Sequence, residues 1–261
     1  MSLIALTIND KKVYVEEGST ILQAARMLNI NIPTLCHLNM HDGKTTNHPG
    51  SCRVCVVEVY GRRNLAPACS TPATNGMIIK TNSIRAIKAR RTVLELILSD
   101  HPQDCLLCEK NTVCELQRLA AELGIREIHY KGEMSTYPID NSSSSIVRDP
   151  NKCILCRRCE TVCNEVQTVG VLSGVSRGFE TVVSTAFALP LGKSTCTFCG
   201  QCVAVCPTGA LTEVNNTSKV WDALGQTEKV VVVQTAPAVR AALGEEFGID
   251  LGICVTGKMV A

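Results

Sequence analysis

The chain has few aromatic residues, almost no net charge and no long apolar run. Phe, Trp and Tyr make up 3% of its 261 residues, so we expect small aliphatic cores. The formal net charge of +2 gives no argument for a nucleic-acid partner. Its apolar runs fall short of the roughly 18 residues that a membrane span needs, and residues 1–8 lack the basic flank of a secretion signal. We therefore expect a cytoplasmic protein without a membrane span.

Sequence motifs for nucleotide binding and for substrate chemistry are also missing. The chain has no Walker sequence, no nucleotide-binding glycine loop and no recognisable pair of nucleophile and base. We therefore predict no catalytic residues. Any nicotinamide or flavin would have to lie on another chain.

Cysteine, by contrast, is abundant: there are sixteen, and fifteen of them fall into four spaced groups. The last two groups share the spacing Cys-x2-Cys-x2-Cys-x3-Cys, and Pro207 follows the second. This is the bacterial ferredoxin spacing for [4Fe-4S] clusters, in which the fourth cysteine binds the other cluster. Zinc is the alternative, but zinc sites usually use two well-separated Cys-x2-Cys pairs. The predicted ligands are Cys153, Cys156, Cys159 and Cys206 for one cluster, and Cys196, Cys199, Cys202 and Cys163 for the other.

A third group consists of His101, Cys105, Cys108 and Cys114, just before a helical pattern over 114–123. Three thiolates leave one iron of a [4Fe-4S] cluster without a protein ligand, and the imidazole of His101 can fill that place. A lone histidine is more often a surface or capping residue, and His101 follows the helix-ending pair Ser99 and Asp100. The three-cysteine deficit favours ligation.

The first group is Cys36, Cys52, Cys55 and Cys69. A close cysteine pair flanked by two distant cysteines is the plan of plant-type [2Fe-2S] sites. Alternation over 3–8 and 12–15 predicts a hairpin, and Ser19 is predicted to open a helix, as expected for a β-grasp ferredoxin. No Cys-x-His pair of a Rieske site exists, so three nearby histidines are interpreted as loop residues: His37, His41 and His48.

Counting ligands leaves one cysteine over. The Cys36 group uses four cysteines, the His101 group uses three cysteines and one histidine, and each of the last two groups uses four cysteines. Together they use fifteen cysteines and leave only Cys254. This residue lies in the apolar stretch 249–255, where a small buried thiol is the default expectation. The sequence therefore predicts one [2Fe-2S] and three [4Fe-4S] clusters.

The order of these groups resembles a known family. Residues 50–59, 89–96, 99–102, 108–111 and 114–117 closely resemble the accessory-cluster half of [FeFe]-hydrogenases. The resemblance is nearest to the A-type subunits of NAD(P)-linked, electron-bifurcating hydrogenase complexes. The first three modules also occur in the iron-sulfur subunit of respiratory complex I and in NAD-dependent formate dehydrogenases. The gap from Cys36 to Cys52 is somewhat longer than is usual for the family, which puts the shape of the loop 39–50 in doubt.

The resemblance implies an electron-transfer subunit. Its partners would be a flavin- and NAD(P)-binding iron-sulfur subunit, a small thioredoxin-like [2Fe-2S] subunit, and hydrogenase subunits or ferredoxin. Residues 233–248 resemble the opening of the hydrogen-activating domain, and Cys254 alone cannot hold its catalytic cluster, so we expect no such centre. The alternatives are the front part of a catalytic [FeFe]-hydrogenase, a subunit of a formate dehydrogenase, or a zinc-stabilised adaptor.

The expected fold class is α+β with several small modules. The boundaries place a β-grasp [2Fe-2S] domain at 1–81, a helical His/Cys3 module at 82–140, a 2[4Fe-4S] ferredoxin-like module at 141–215, and the start of a hydrogenase-like segment at 216–261. The serine run 142–145 is interpreted as a hinge or a surface loop. Basic residues on the helix predicted over 84–98 are expected on a solvated face rather than a docking patch: Arg85, Lys88, Arg90 and Arg91.

Overall fold

The computed structural model describes residues 2–38, 47 and 49–260, in a mixture of strands and helices. The chain divides into two compact units, Met1–Val214 and Asn215–Ala261. The strands are β1 Leu3–Ile8, β2 Lys11–Glu16, β3 Val56–Val59, β4 Ala66–Pro67, β5 Ile78–Lys80, β6 Ile146–Arg148, β7 Ser173–Val175, β8 Val182–Ser184 and β9 Leu211–Glu213. The α-helices are α1 Ile21–Met27, α2 Ile84–Ser99, α3 Glu115–Glu122, α4 Arg158–Thr161, α5 Gln201–Ala204, α6 Thr217–Leu224, α7 Val239–Glu246 and α8 Thr256–Val260.

The predicted N-terminal hairpin is confirmed. Strands β1 and β2 pair antiparallel, with Ile8 opposite Lys11, and the two turn residues Asn9 and Asp10 have positive φ angles of 47° and 67°. Asn and Asp tolerate this left-handed conformation better than most residues, so the turn suits the sequence. Alternation along the strands then buries one face, where Leu6 and Ile8 are 2% and 0% exposed.

Five strands form one sheet in the order β2-β1-β5-β3-β4. Strand β5 is parallel to β1 and antiparallel to β3. Helix α1 contributes Ile21 and Leu22 to the core of this sheet. The residue that caps this helix is Thr20 rather than the predicted Ser19. The Thr20 hydroxyl accepts from Gln23 N–H, and the Gln23 side chain accepts from Thr20 N–H.

Helix α2 confirms the predicted helix and corrects the position of one arginine. Ser83 caps its first turn by accepting from Ala86 N–H. Arg90 was expected on the solvated face but is only 4% exposed, and its guanidinium donates twice to Val56 O at 3.0 and 2.8 Å. Helical periodicity alone missed this, because the arginine satisfies a strand carbonyl at the edge of the sheet region. The bond fastens α2 to β3.

Short elements carry the remainder of the first unit. Helix α3 confirms the helical pattern predicted after Cys114, which is its N-cap. Strands β7 and β8 pair around a 3-10 turn at Gly178–Glu180. Strand β6 pairs with β9 and so joins the two ends of the region that holds the repeated cysteine runs.

The serine run before β6 is tied down at its centre. Ser143 is 5% exposed and its hydroxyl accepts from the N–H groups of Ser145 and Ile146. Ser142 N–H and hydroxyl donate to Asp140. These bonds favour an ordered loop over the hinge interpretation.

The second unit corrects the expectation for Cys254. This unit contains α6, α7 and α8, and Val255, which is 5% exposed, donates its N–H to Arg240 O. Cys254 itself is exposed, with its Sγ 3.0 Å from Thr256 Oγ1. Hydrogen bonds from Thr256 lower the pKa of this thiol. The apolar stretch buries Val255 and leaves its neighbour outside.

Helices throughout residues 2–38, 47 and 49–260 fall short of the length and apolar character needed to cross a membrane.

Candidate iron-sulfur sites

The first set of cysteines surrounds one edge of the sheet. Cys55 immediately precedes β3, Cys52 lies in the loop before it, and Cys69 follows β4. All four thiols are at most 7% exposed. Cys36 contacts both Cys52 and Cys69, and Cys55 Sγ lies 3.3 Å from Cys69 Sγ. The structure therefore brings together four cysteines that are up to 33 residues apart in the sequence.

Hydrogen bonds among these four thiols shift their pKa values in opposite directions. Hydrogen bonds from Cys52 and Cys69 lower the pKa of Cys36, and a hydrogen bond from Cys69 lowers the pKa of Cys55 to about 7. The same contact with Cys36 raises the pKa of Cys52. Gly50 N–H also donates to Cys36 Sγ at 3.3 Å. Part of the thiolate charge that a cluster needs is thus already stabilised, and binding would release the other protons.

The second set lines a cavity at the end of α2. His101, Cys105, Cys108 and Cys114 all face this cavity, and Gly209 closes it from a distant part of the chain. His101 Nδ1 is buried, with no hydrogen-bond partner among the described residues. Burial lowers the pKa of His101, which favours the neutral imidazole that binds metals. A buried ring nitrogen without a partner is costly unless a ligand is bound, so this site fits a metal group.

The repeated cysteine runs form two cavities, and each run contributes to both. One cavity is lined by Cys153, Cys156, Cys159 and Cys206. The other is lined by Cys163, Cys196, Cys199 and Cys202. The fourth cysteine of each run therefore lies with the first three of the other run. In the described ranges, no group of three or more His, Cys, Asp or Glu side chains is arranged to hold a single metal ion.

The two runs curl in the same way. Leu155 and Arg157 have φ angles of 52° and 58°, and the corresponding Phe198 and Gly200 have 55° and 76°. Left-handed backbone at non-glycine residues costs about 1–2 kcal/mol each. Such strain persists where the surroundings enforce it, and this curl turns three thiols and their N–H groups toward a common centre.

Burial raises the pKa values of several thiols in these runs. It raises the pKa of Cys153 to about 11 and that of Cys156 to about 12. Burial likewise raises the pKa of Cys202 to about 12. Metal-bound thiolates carry no proton, so a bound cluster would compensate the burial of these groups.

The two arginines between cluster ligands make different contacts. Arg157 lines the cavity of the Cys153 set and lies 3.7 Å from Glu160. Arg158 is 6% exposed and pairs instead with Glu115 on α3. Its charge is therefore balanced by a carboxylate that the sequence analysis did not single out.

Several residues near the sites have no sequence signal. A Cβ on Gly209 would lie 2.7 Å from Cys108 Sγ, so only glycine fits there. Lys152 lies 3.7 Å from Asp104 and 3.5 Å from Asp149, between two cysteine sets. The contacts of Gly209 with Cys108 and of Lys152 with Asp104 join residues that are far apart in the sequence, so local sequence does not indicate them.

The histidines interpreted as loop residues are placed only in part. His37 lies in a loop and is 8% exposed, and its burial lowers its pKa. His41, His48 and most of the loop 39–50 lie outside the described residues.

Three family descriptions match successive parts of the chain. Residues 2–83 match the 2Fe-2S iron-sulfur cluster binding domain, and residues 90–129 match the NADH-ubiquinone oxidoreductase-G iron-sulfur binding region. Residues 152–210 match the 4Fe-4S dicluster domain. The matched segments contain all sixteen predicted ligands.

A solved structure has the same fold over most of its length. A chain in the crystal structure of NAD+-reducing [NiFe]-hydrogenase in the H2-reduced state is 31% identical, with a TM-score of 0.72. The match covers 80% of this chain and 87% of that one. This chain belongs to the iron-sulfur family of NAD(P)-linked hydrogenase subunits.

Curated members of the same family are much longer. NADP-reducing hydrogenase subunit HndD of Solidesulfovibrio fructosivorans is 62% identical over 100% of this chain and 45% of its own length. Iron hydrogenase 1 of Clostridium pasteurianum is 33% identical over 97% of this chain and 44% of its own length. The 78 kDa subunit of mitochondrial NADH-ubiquinone oxidoreductase from Neurospora crassa is 31% identical over 95% of this chain and 32% of its own length. The chain thus spans less than half of these relatives.

Proposed function

We propose that this chain is an iron-sulfur electron-transfer subunit of an NAD(P)-linked, electron-bifurcating hydrogenase complex. It would hold one [2Fe-2S] and three [4Fe-4S] clusters. The [2Fe-2S] ligands would be Cys36, Cys52, Cys55 and Cys69. The [4Fe-4S] ligands would be His101, Cys105, Cys108 and Cys114 in one site, Cys153, Cys156, Cys159 and Cys206 in the second, and Cys163, Cys196, Cys199 and Cys202 in the third.

One observation carries this proposal: the ligand sets adjoin one another within one compact unit. Cys36, Cys52 and Cys156 belong to a single apolar core, and Cys114 packs against it. Three sets thus share one core. Cys159 and Cys163 then connect this region to the Cys196 set through another core. Adjacent sites separated by packed protein are the arrangement that electron transfer requires, whereas isolated structural metal sites need no such adjacency.

The clusters would supply one-electron carriers of graded potential. The chain's own residues fix their positions, donate N–H groups to the sulfurs and exclude water. The neutral imidazole of His101 would replace a thiolate and so reduce the negative charge of its site. Burial of the Cys36 and Cys153 sets lowers the local dielectric and strengthens these effects.

The modules predicted from the sequence give this proposal its architecture. The five-stranded sheet with α1 supports a β-grasp ferredoxin domain at 1–81. The arrangement of the other ligands supports a His/Cys3 module at 82–140 and a 2[4Fe-4S] module at 141–215. The segment 216–261 would correspond to the start of a hydrogenase-like segment.

The proposed partners follow from the relatives. The HndD relative is named a subunit of an NADP-reducing hydrogenase. We propose a flavin- and NAD(P)-binding subunit and a thioredoxin-like [2Fe-2S] subunit on one side of the relay, with hydrogenase subunits or ferredoxin on the other. The complex would work in the cytoplasm, where thiols stay reduced.

Metal analysis of anaerobically purified protein tests the proposal. The four clusters predict about fourteen iron atoms per chain and paramagnetic signals after reduction. Stoichiometric zinc without iron would reject it in favour of a structural adaptor.

The histidine ligand has a separate test. His101→Ala should change the potential or occupancy of one [4Fe-4S] cluster and leave the signals of the other three unchanged. The matched control is His129→Ala, since His129 is exposed and its Nδ1 contacts Glu95 Oε1 at 2.7 Å. A full set of unchanged signals in His101→Ala would remove this residue from the ligand set.

A second candidate is that the same relay belongs to a longer catalytic hydrogenase. The match to 44% of Iron hydrogenase 1 and 45% of HndD favours this candidate. Intact-mass measurement of the protein from its native source distinguishes the two. A mass near 28.1 kDa supports the separate subunit, and a mass about twice as large supports the catalytic enzyme.

A further inference from the structure

Arg158 and Glu115 form an ion pair between helices α4 and α3. The two terminal nitrogens of the Arg158 guanidinium donate to the two carboxylate oxygens of Glu115 at 2.6 and 2.9 Å. This fork-to-fork geometry is the strongest form of such a pair. The Arg158 side chain is 7% exposed and that of Glu115 is 34% exposed, so the positive charge is the more deeply buried of the two.

The pair lies where three ligand sets meet. Arg158 lies two residues after Cys156 and directly before Cys159, and Glu115 directly follows Cys114. Cys156 packs in the same apolar core as Cys36 and Cys52, and Cys114 packs against that core. Arg158 therefore belongs to the segment that supplies the Cys153 set, next to the core shared with the Cys36 set, and its carboxylate partner adjoins the His101 set.

Part of the Arg158 donor capacity is unused. Its Nε is buried and has no hydrogen-bond partner among the residues that the structure describes. A buried donor without an acceptor is unfavourable, and sulfur in a bound cluster or its thiolates can accept such a bond. Burial alone would lower the pKa of Arg158, but Glu115 outweighs it and the net shift is upward, so the guanidinium stays charged.

We propose that Arg158 and Glu115 are a charge-tuning pair that sets the reduction potentials of the clusters at the Cys36 and Cys153 sets relative to the remaining sites. Reduction adds negative charge to a cluster, so a nearby desolvated cation raises its potential and a nearby anion lowers it. The negative charge of Glu115 partly offsets the rise in potential that Arg158 causes. It also lowers the reduction potential of the cluster at the His101 set. The inference rests on the proposed iron-sulfur function.

The pair could instead serve only as a clamp between α3 and α4. A clamp would depend on the two hydrogen bonds and would leave the potentials of fully loaded clusters unchanged. A tuning pair depends on charge, so Arg158→Lys should retain most of the effect even though lysine cannot make the same two bonds. The two roles therefore predict different results for the same substitutions.

Potentiometric titration followed by low-temperature electron paramagnetic resonance is the test, with iron content measured on each sample. Arg158→Gln should shift the potentials at the Cys36 and Cys153 sets downward. Glu115→Gln should shift them upward and also raise the potential at the His101 set. The cluster at the Cys196 set should move least, since its cysteines pack in a different core from the one that Cys36, Cys156 and Cys114 share.

The surface pair Arg118 and Glu122 on the same helix provides the control. These side chains are 57% and 42% exposed, with Nη1 and Oε1 2.5 Å apart. Arg118→Gln removes the same charge at a solvated position, where water and salt screen it. It should leave every potential unchanged.

Two results would overturn the proposal. One is full iron content with unshifted potentials in Arg158→Gln or in Glu115→Gln. The other is an Arg158→Lys variant that behaves like Arg158→Gln. If Arg158→Gln does not retain its clusters, the shift in Glu115→Gln decides. A wild-type protein without iron signals would reject the proposed function itself, so the two failures are distinguishable.

Discussion

The Cys36 set and the His101 set each offer four ligands, but the protein holds them by different means. The Cys36 set lies at the edge of a five-stranded sheet whose core includes Ile8, Leu22 and Ile79, each at most 1% exposed. The His101 set lies on helix ends and a 3-10 turn, where Leu106 and Leu107 are 89% and 86% exposed. Packing can therefore position the first set, whereas the second depends on contacts with distant segments.

Two of those distant contacts are visible. Glu115 N–H donates to Pro207 O at 2.9 Å, and Gly209 lies against Cys108. Residues after the last cysteine run thus close a site formed 100 residues earlier. The comparison teaches that ligand count and spacing do not indicate how far a site is organised before its metal binds.

Removal of iron is expected to separate the two regions most strongly. Structural metal sites contribute much of the folding free energy of small modules. After chelation we expect amide exchange at Cys105–Leu107 and α3 to accelerate by at least about a hundredfold, which corresponds to about 2.7 kcal/mol. Strands β1 and β2 should remain protected, since their hydrogen bonds rest on an apolar core. Equal loss of protection in both regions would remove the distinction.

Gly209→Ala should break the His101 set alone. The added Cβ would lie 2.7 Å from Cys108 Sγ and 3.3 Å from Lys152 Cδ. The lysine can shift, but a sulfur bound to iron cannot, so we expect loss of one [4Fe-4S] cluster and about four of fourteen iron atoms. Gly132→Ala is the matched control, because nothing lies within 4 Å of its position. Iron content and the number of paramagnetic signals measure the outcome, and a fully loaded Gly209→Ala protein would contradict the expectation.

Core substitutions should sharpen the same contrast. Leu22 and Leu119 are both 1% exposed, the first in the sheet core and the second in the core shared by three sets. Each change to alanine should cost about 2–5 kcal/mol in the loaded protein. In iron-depleted protein, Leu22→Ala should still destabilise the sheet, whereas Leu119→Ala should add little to a region already loosened. The urea dependence of amide exchange in β1 and α3 gives both values.

Local patterns predicted the elements of the fold well. The hairpin, α2 and α3 follow from apolar periodicity, because the apolar side chains that recur along each element lie on the face that packs against a core. Ligand spacing likewise predicted the sets of thiols that line common cavities, since a curled loop brings residues three apart to one centre.

Tertiary contacts account for what the sequence could not provide. Arg90 was predicted on a solvated helix face, but its guanidinium donates to Val56 O. Arg158 pairs with Glu115, which lies far away in the sequence. Cys254 lies in an apolar stretch and is nevertheless exposed. The positions of the two arginines depend on partners that are distant in the sequence. The exposure of Cys254 depends on the small core of the second unit. Local sequence patterns specify neither.

The smallest expected effect concerns the cap of α1, which is Thr20 and not the predicted Ser19. Thr20→Ala removes the hydroxyl that accepts from Gln23 N–H at 3.2 Å and should cost the sheet region about 1 kcal/mol. Ser19 bonds through its backbone, with N–H donated to Glu16 O and its carbonyl accepting from Ala73 N–H, so Ser19→Ala should cost less. The urea dependence of exchange in β1 compares the two variants. Because α1 packs on the sheet rather than on a metal site, the cost should be the same with and without iron, and a cost that vanished on iron removal would show that this region also depends on its cluster.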